Sequence, residues 1–173
     1  MPLRQILNKT VVLLSLALSF SIQALPEDWN QEVIILSDQA KLERKVNTVI
    51  YSGNVVLTQG TLKITSDKLT VIRDNQDQFE KAIAVGNLAH YQQQIEAGDP
   101  LTYAEAQSIE YYALQREVLL IGKAKITQES NQMTGERIRY DMAADVVTAG
   151  QQEENPSRIR VVIQPKSKVA EGK

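Results

Sequence analysis

The chain has 173 residues, near the usual size of one domain, with 19 Lys+Arg against 21 Asp+Glu and 43% apolar residues. That apolar content excludes a disordered chain, and a net charge of −2 argues against a nucleic-acid binder, whose domain is normally strongly basic. Without Cys and with one histidine, His90, it has no thiol nucleophile, disulfide scaffold, Cys-type zinc site or His-rich metal site, which leans against an enzyme.

Residues 1–24 read as a secretory signal peptide. Arg4 and Lys9 supply the positive start, the run from Val11 to Ile22 is apolar apart from Ser15, Ser19 and Ser21, and Gln23-Ala24 ends it on a small residue. The apolar core is about a dozen residues, short of the ~20 that span a hydrocarbon core, which favours cleavage over a retained anchor. Cleavage leaves 149 residues with a net charge of −4. The expected product is a soluble exported protein, most simply periplasmic, with a body over residues 25–164 and a disordered tail over residues 165–173.

The body shows no helical stripe. Runs rich in Val, Ile, Thr and Tyr alternate with Asn, Asp, Gly and Gln clusters, the signature of strands and turns. In chain order they begin with a strand over residues 33–37 and the half-copy Ser37-Asp-Gln-Ala40. Tyr51-Ser-Gly-Asn-Val-Val-Leu-Thr-Gln59 and Ser66-Asp-Lys-Leu69 follow, then Val85-Gly-Asn-Leu-Ala89 and Ser108-Ile-Glu-Tyr111. Leu120-Ile-Gly-Lys-Ala-Lys-Ile-Thr-Gln128, Met133 to Tyr140, and Ile159-Arg-Val-Val-Ile163 complete the series. Residues 92–100 and 151–157 read as polar loops. At one strand and turn per ~10 residues, roughly 15 strands are expected, and the chain is all-β.

The run from Tyr51 repeats at Leu120 with a constant shift of 69, and the match continues without a gap from Ile64/Met133 to Leu69/Ile138. Glycines 53, 86, 122 and 150 punctuate the copies. Units of this kind cannot each bury an apolar face and must stack on their neighbours. The alternation also changes phase: Leu62 and Ile64 are even, Leu69 and Val71 odd, with the same flip between Met133 and Ile138. A period of two changes phase only through an extra residue or a corner, so each unit is expected to bend there, between two facing sheets.

Ile35-Leu-Ser-Asp-Gln-Ala40, Tyr51-Ser-Gly-Asn-Val-Val-Leu-Thr-Gln-Gly60, Ile64-Thr-Ser-Asp-Lys-Leu69 and Met133-Thr-Gly-Glu-Arg-Ile-Arg-Tyr140 resemble the OstA-like family, over roughly residues 33–164. The resemblance implies a β-jelly roll, a twisted V-shaped sandwich of many antiparallel strands built from internal repeats and open at both ends. It further implies that the inner faces form an apolar groove for the lipid A acyl chains of lipopolysaccharide. Protomers would stack head to tail, between an inner-membrane anchored partner of the same fold and an outer-membrane translocon partner. Each exposed CH₂ of an acyl chain costs about 0.8 kcal/mol in water, so such a carrier needs a continuous apolar trough more than a tight site. The chain has no G-x-x-x-x-G-K-[ST] phosphate loop, and no cofactor or metal is expected.

The groove residues expected on these grounds are Val33, Ile35, Val55, Leu57, Tyr91, Tyr111 and Ile126. For Tyr91 the parity set by Gly86 and Leu88 is wrong unless a bulge intervenes; for Tyr111 the plain alternative is a cross-strand aromatic pair. Val33 and Ile35 at the start, with Ile159, Val161 and Ile163 at the end, are expected on open edges that partners extend by strand addition. Lys63, Lys68, Arg73, Lys123, Lys125, Arg137 and Arg139 read as a solvated outer face rather than phosphate ligands. Asp67 and Glu136 occupy the same slot of a repeated turn, where accepting backbone N–H bonds explains a carboxylate better than catalysis. Two rival readings remain: an inner-membrane anchored relative that keeps residues 1–24, and a periplasmic glycan-binding or hydrolase β-solenoid.

Overall fold

A computed structural model describes residues 28–96, 98–150 and 158–164. The expected leader (residues 1–24), the loop at 151–157 and the tail (residues 165–173) lie outside the described residues. After a 3₁₀ turn at Asp28–Asn30 come ten strands: β1 (Ile34–Leu36), β2 (Gln39–Glu43), β3 (Thr48–Gln59), β4 (Leu62–Arg73), β5 (Phe79–Gln93), β6 (Thr102–Tyr112), β7 (Glu117–Gln128), β8 (Asn131–Asp141), β9 (Val146–Ala149) and β10 (Arg160–Val162). All pair antiparallel in one unclosed sheet of order β1-β3-β4-β5-β6-β7-β8-β10. β2 lies beside β1 along β3, and β9 beside β10 along β8. The expectation of about 15 strands is corrected to ten among the described residues. The six central strands run 11–15 residues each, and one long bent strand does the work of two short ones.

The bend sits where the alternation changes phase. Register slips between Ser52 and Val55 on β3, Thr65 and Lys68 on β4, Val85 and Ala89 on β5, Glu105 and Ser108 on β6, and Ile121 and Ala124 on β7. These bulges line up across the sheet into one corner that folds it into two arms. The first arm holds β2, β9 and the adjoining halves of β3–β8; the second holds β1, β10 and the other halves. Leu62 and Ile64 before the corner and Leu69 and Val71 after it are all buried, so the phase change keeps the apolar face inward on both arms. The repeat is therefore a repeat of bent hairpins: β3–β4 corresponds to β7–β8, with β5–β6 between them.

Polar side chains complete the corner. At Gly53-Asn54 on β3 and Gly122-Lys123 on β7, two successive residues have positive φ. A Cβ at Gly53 would run into the Asp38 side chain down to its own Cβ, whereas one at Gly122 would displace the flexible amide end of Gln107. Gly53 is therefore fixed by space as well as conformation, and Gly122 chiefly by its positive φ. Asp38 also accepts from Asn54 Nδ2 at 2.9 Å, and Asp67 accepts from the Asn87 backbone N–H at 3.1 Å. The backbone-binding explanation for Asp67 is thus what the structure shows. The punctuating glycines serve the corner more than the inner face.

Candidate functional site: the interior between the arms

The inner faces of the two arms meet in one apolar cluster. Val55, Leu57, Ile64, Tyr91, Ala104 and Ile126 come from the second arm, and Leu69, Ala82, Ile109, Tyr111, Leu120, Ile138 and Tyr140 from the first. Five expected groove residues, Val55, Leu57, Tyr91, Tyr111 and Ile126, are buried in that cluster, and Val33 and Ile35 pack against it half-buried. The sequence expectation thus brings seven residues to one interior. Tyr91 reaches it because the β5 bulge between Val85 and Ala89 resets the parity. Tyr111 does form an aromatic pair: its ring stacks on Phe79 with centroids 6.0 Å apart and planes 15° from parallel.

The interior is not evenly open. Leu57, Leu62, Leu69, Ile109, Leu120 and Ile138 are wholly buried, so around them the arms are packed together in this structure. At the β9/β10 edge a cleft of about 150 Å³ opens between the arms, lined by Ile126, Met133 and Val161 on one side and Tyr140 and Val147 on the other. At the β1/β2 edge, Val33, Ile35 and Tyr51 are half-buried and pack against the cluster. Burial pushes the Tyr111 hydroxyl up to about 12 and also raises Tyr91 and Tyr140, the last helped by its hydrogen bond to the Asp145 carboxylate, so all three stay neutral at pH 7.

Opposite the corner a chain of polar side chains runs along the end of the second arm and reaches the first arm at one point. Asp28 accepts from the Thr61 N–H at 2.7 Å, Thr61 Oγ1 at 2.6 Å and Gln93 Nε2 at 2.7 Å. Gln93 Oε1 in turn accepts from the Tyr91 hydroxyl at 2.6 Å, which lies 3.4 Å from Met142 Sδ on the other arm. The Tyr91–Met142 contact is the step of this chain that crosses between the arms, beside the apolar packing of their inner faces. Sequence reading missed Asp28 and Met142, because neither stands in a repeated slot. Tyr140 and Met133 were within reach, since both belong to the quoted motif and Tyr140 continues the even phase of Ile138.

The two edges carry the expected partner residues at opposite ends of the sheet. Ile35 pairs with Leu57, and each strand of this edge, β1 and β2, has its outer side unpaired among the described residues. At the far end Val161 pairs with Met133, Ile159 lies beside Gly135 and Gly150, and Ile163, 76% exposed, follows β10. Val33, Ile159 and Ile163 flank the short edge strands rather than lie within them. Of the basic residues, Arg73 pairs with Asp77, Lys125 with Glu105 and Arg139 with Glu117, as befits an outer face. Among the described residues no group of three or more His, Asp and Glu could hold a metal ion, and no helix is long and apolar enough to cross a membrane.

A bent antiparallel sheet, unclosed at both edges around an apolar interior, defines an OstA-like β-jelly roll. Residues 34–146 match the family described as LptA/(LptD N-terminal domain) LPS transport protein, and the chain belongs to that family. It is 38% identical over 150 residues to the lipopolysaccharide export system protein LptH of Pseudomonas aeruginosa, covering 84% of this chain and 86% of that one. It is 34% identical over 137 residues to the lipopolysaccharide export system protein LptA of Escherichia coli K12, covering 78% of this chain and 74% of the relative. The crystal structure of LptH, the LptA-homologous periplasmic component of the conserved lipopolysaccharide transport device of Pseudomonas aeruginosa, superposes with a TM-score of 0.74. It shares 36% identity, covering 81% of this chain and all of that one.

Proposed function

We propose that the chain is a carrier rather than an enzyme: a periplasmic lipopolysaccharide-binding bridge protein that shields lipid A acyl chains between its two arms on the way to the outer membrane. The observation that carries this reading is the apolar interior reached from both open edges, with half-buried aliphatics at one and a cleft at the other. Its family membership and the lipopolysaccharide transport role in the names of its relatives support it. Because the middle of the interior is packed, acyl chains enter as the arms part on the side opposite the corner, hinged at the corner. Val33, Ile35, Val55, Leu57, Tyr91, Tyr111 and Ile126 then line the trough. Residues 1–24 act as a cleaved leader, and residues 165–173 as a tail beyond the folded body.

The same reading places partners at the edges. Unpaired strand edges add strands from another chain, so β1/β2 and β9/β10 join protomers head to tail. The end protomers meet an inner-membrane anchored protein of the same fold and an outer-membrane translocon by the same edge pairing. Photocrosslinking in living cells tests both halves of the proposal. Probes at Val33 and Tyr111 are expected to give lipopolysaccharide adducts, and a probe at Ile163 protein adducts; absence of lipid at both interior positions overturns the carrier reading.

A further inference from the structure

The outside of the second arm carries a concavity of about 400 Å³. Its floor is the backbone of Tyr91 and Ala104, whose side chains point inward, and its walls are two outward rows of side chains. One row runs Lys63, Gln92, Tyr103, Thr127 across β4–β7, and the next runs Thr65, His90, Glu105, Lys125. That volume falls in the range of small-molecule sites.

The chemistry of the walls is specific. Tyr103 presents an amphipathic ring, 48% exposed, in the middle of the first row. Gln92, Thr65 and Thr127 place amide and hydroxyl groups around it with no hydrogen bond to another described side chain. Lys63 has no ion-pair partner among the described residues, while Lys125 lies 2.6 Å from Glu105, whose other oxygen is 3.8 Å from His90 Nδ1. Two lysines against one carboxylate leave the hollow positive, although the chain as a whole is negative. A ring face to stack on, neutral hydrogen-bonding groups around it and surplus positive charge at the rim suit a hydroxyl-rich ring that carries a negative group.

We propose that this hollow is a binding site for an anionic saccharide, a sugar bearing a phosphate or carboxylate, separate from the interior between the arms. Tyr103 stacks on the sugar ring, Gln92, Thr65 and Thr127 bond its hydroxyls, and Lys63 and Lys125 meet the anion. The sugar comes either from a glycolipid whose acyl chains occupy the interior or from a glycan without lipid.

The test titrates the full-length exported chain, isotope-labelled for NMR, with glucose 6-phosphate, glucuronate, glucose, inorganic phosphate and a hexaglutamate peptide. The two sugar acids are expected to shift the amides of His90, Tyr103 and Lys125 and the Tyr103 ring protons, with glucose at least about tenfold weaker. Tyr103→Ala and Lys63→Gln, both outward and exposed, are each expected to weaken sugar-acid binding about tenfold with unchanged unfolding. No shift with either sugar acid overturns the proposal, as does equal binding of inorganic phosphate or tighter binding of hexaglutamate. A photocrosslinker at position 103 in cells then separates the sources: adducts with acyl chains mark a glycolipid and adducts without them a free glycan. Adducts with protein alone overturn the saccharide site. Because position 103 faces away from the interior, failure of lipid capture at Val33 and Tyr111 leaves this result independent.

Discussion

The corner and the seam hold the same two arms together by different means. At the corner every central strand passes through, so the arms are joined by backbone, and the bulges are fixed by Gly53, Gly122 and the side chains of Asp38, Asp67 and Gln107. At the seam, on the open side, the arms meet through side chains alone, the apolar cluster and Tyr91 beside Met142, while Asp28 ties the second arm's own end at Thr61 and Gln93. A structure built this way has one line held by backbone and one held by side-chain packing. On the proposed carrier reading, a ligand enters by parting the second line while the first keeps the fold.

Breaking the corner is expected to cost most. Gly122→Val forces a β-branched residue to φ +77 and into Gln107, which predicts a loss of about 3 kcal/mol in urea unfolding. The next largest effect comes from the interior between them. The Tyr111 hydroxyl, raised by burial from 10.0 to about 12, contributes stability that is complete below pH 10 and is lost as pH rises through 12. Two units correspond to about 2.7 kcal/mol of the fall in unfolding free energy between pH 10 and 12, and Tyr111→Phe removes that share. The fall that remains belongs to Tyr91 and Tyr140, whose hydroxyls burial also raises. A profile as steep in Tyr111→Phe as in the parent would remove Tyr111 as the cause.

At the far end of the second arm, Asp28→Ala leaves the Thr61 and Gln93 donors without their acceptor and is expected to cost about 2 kcal/mol. It should also speed amide exchange at the start of β4 and the end of β5 while the corner amides keep their protection. Uniform loss of protection would mean that the corner and this end are one cooperative unit. The smallest change is expected from Asp67→Ala, an exposed residue that accepts one N–H at the corner, at about 0.5 kcal/mol. A cost as large as that of Gly122→Val would show that the carboxylates, rather than the glycines, set the bend.

Much of this was legible in the sequence because a period of two leaves a local trace. The phase flip between Ile64 and Leu69 marks the corner in the sequence itself, and the 69-residue shift matches β3–β4 to β7–β8. Val55, Leu57 and Ile126 share the inward parity, whereas Val33, Ile35, Tyr91 and Tyr111 rest on the family resemblance. The parity set by Gly86 and Leu88 points Tyr91 outward, and the β5 bulge turns it in. The strand count went wrong because nothing in the pattern separates two short strands from one long strand bent at a bulge.

The sequence by itself determined the all-β class, the bend, the inward faces and the family, since each is written in alternation, turn residues and repeated motifs. Tertiary structure alone decided what closes the seam, how much of the interior is packed, and where the outer face is hollow. Those features join residues as distant as Tyr91 and Met142, or Lys63 and Lys125. Such pairs leave no periodic signal, because their meeting depends on how strands are laid side by side and how far the arms are folded together.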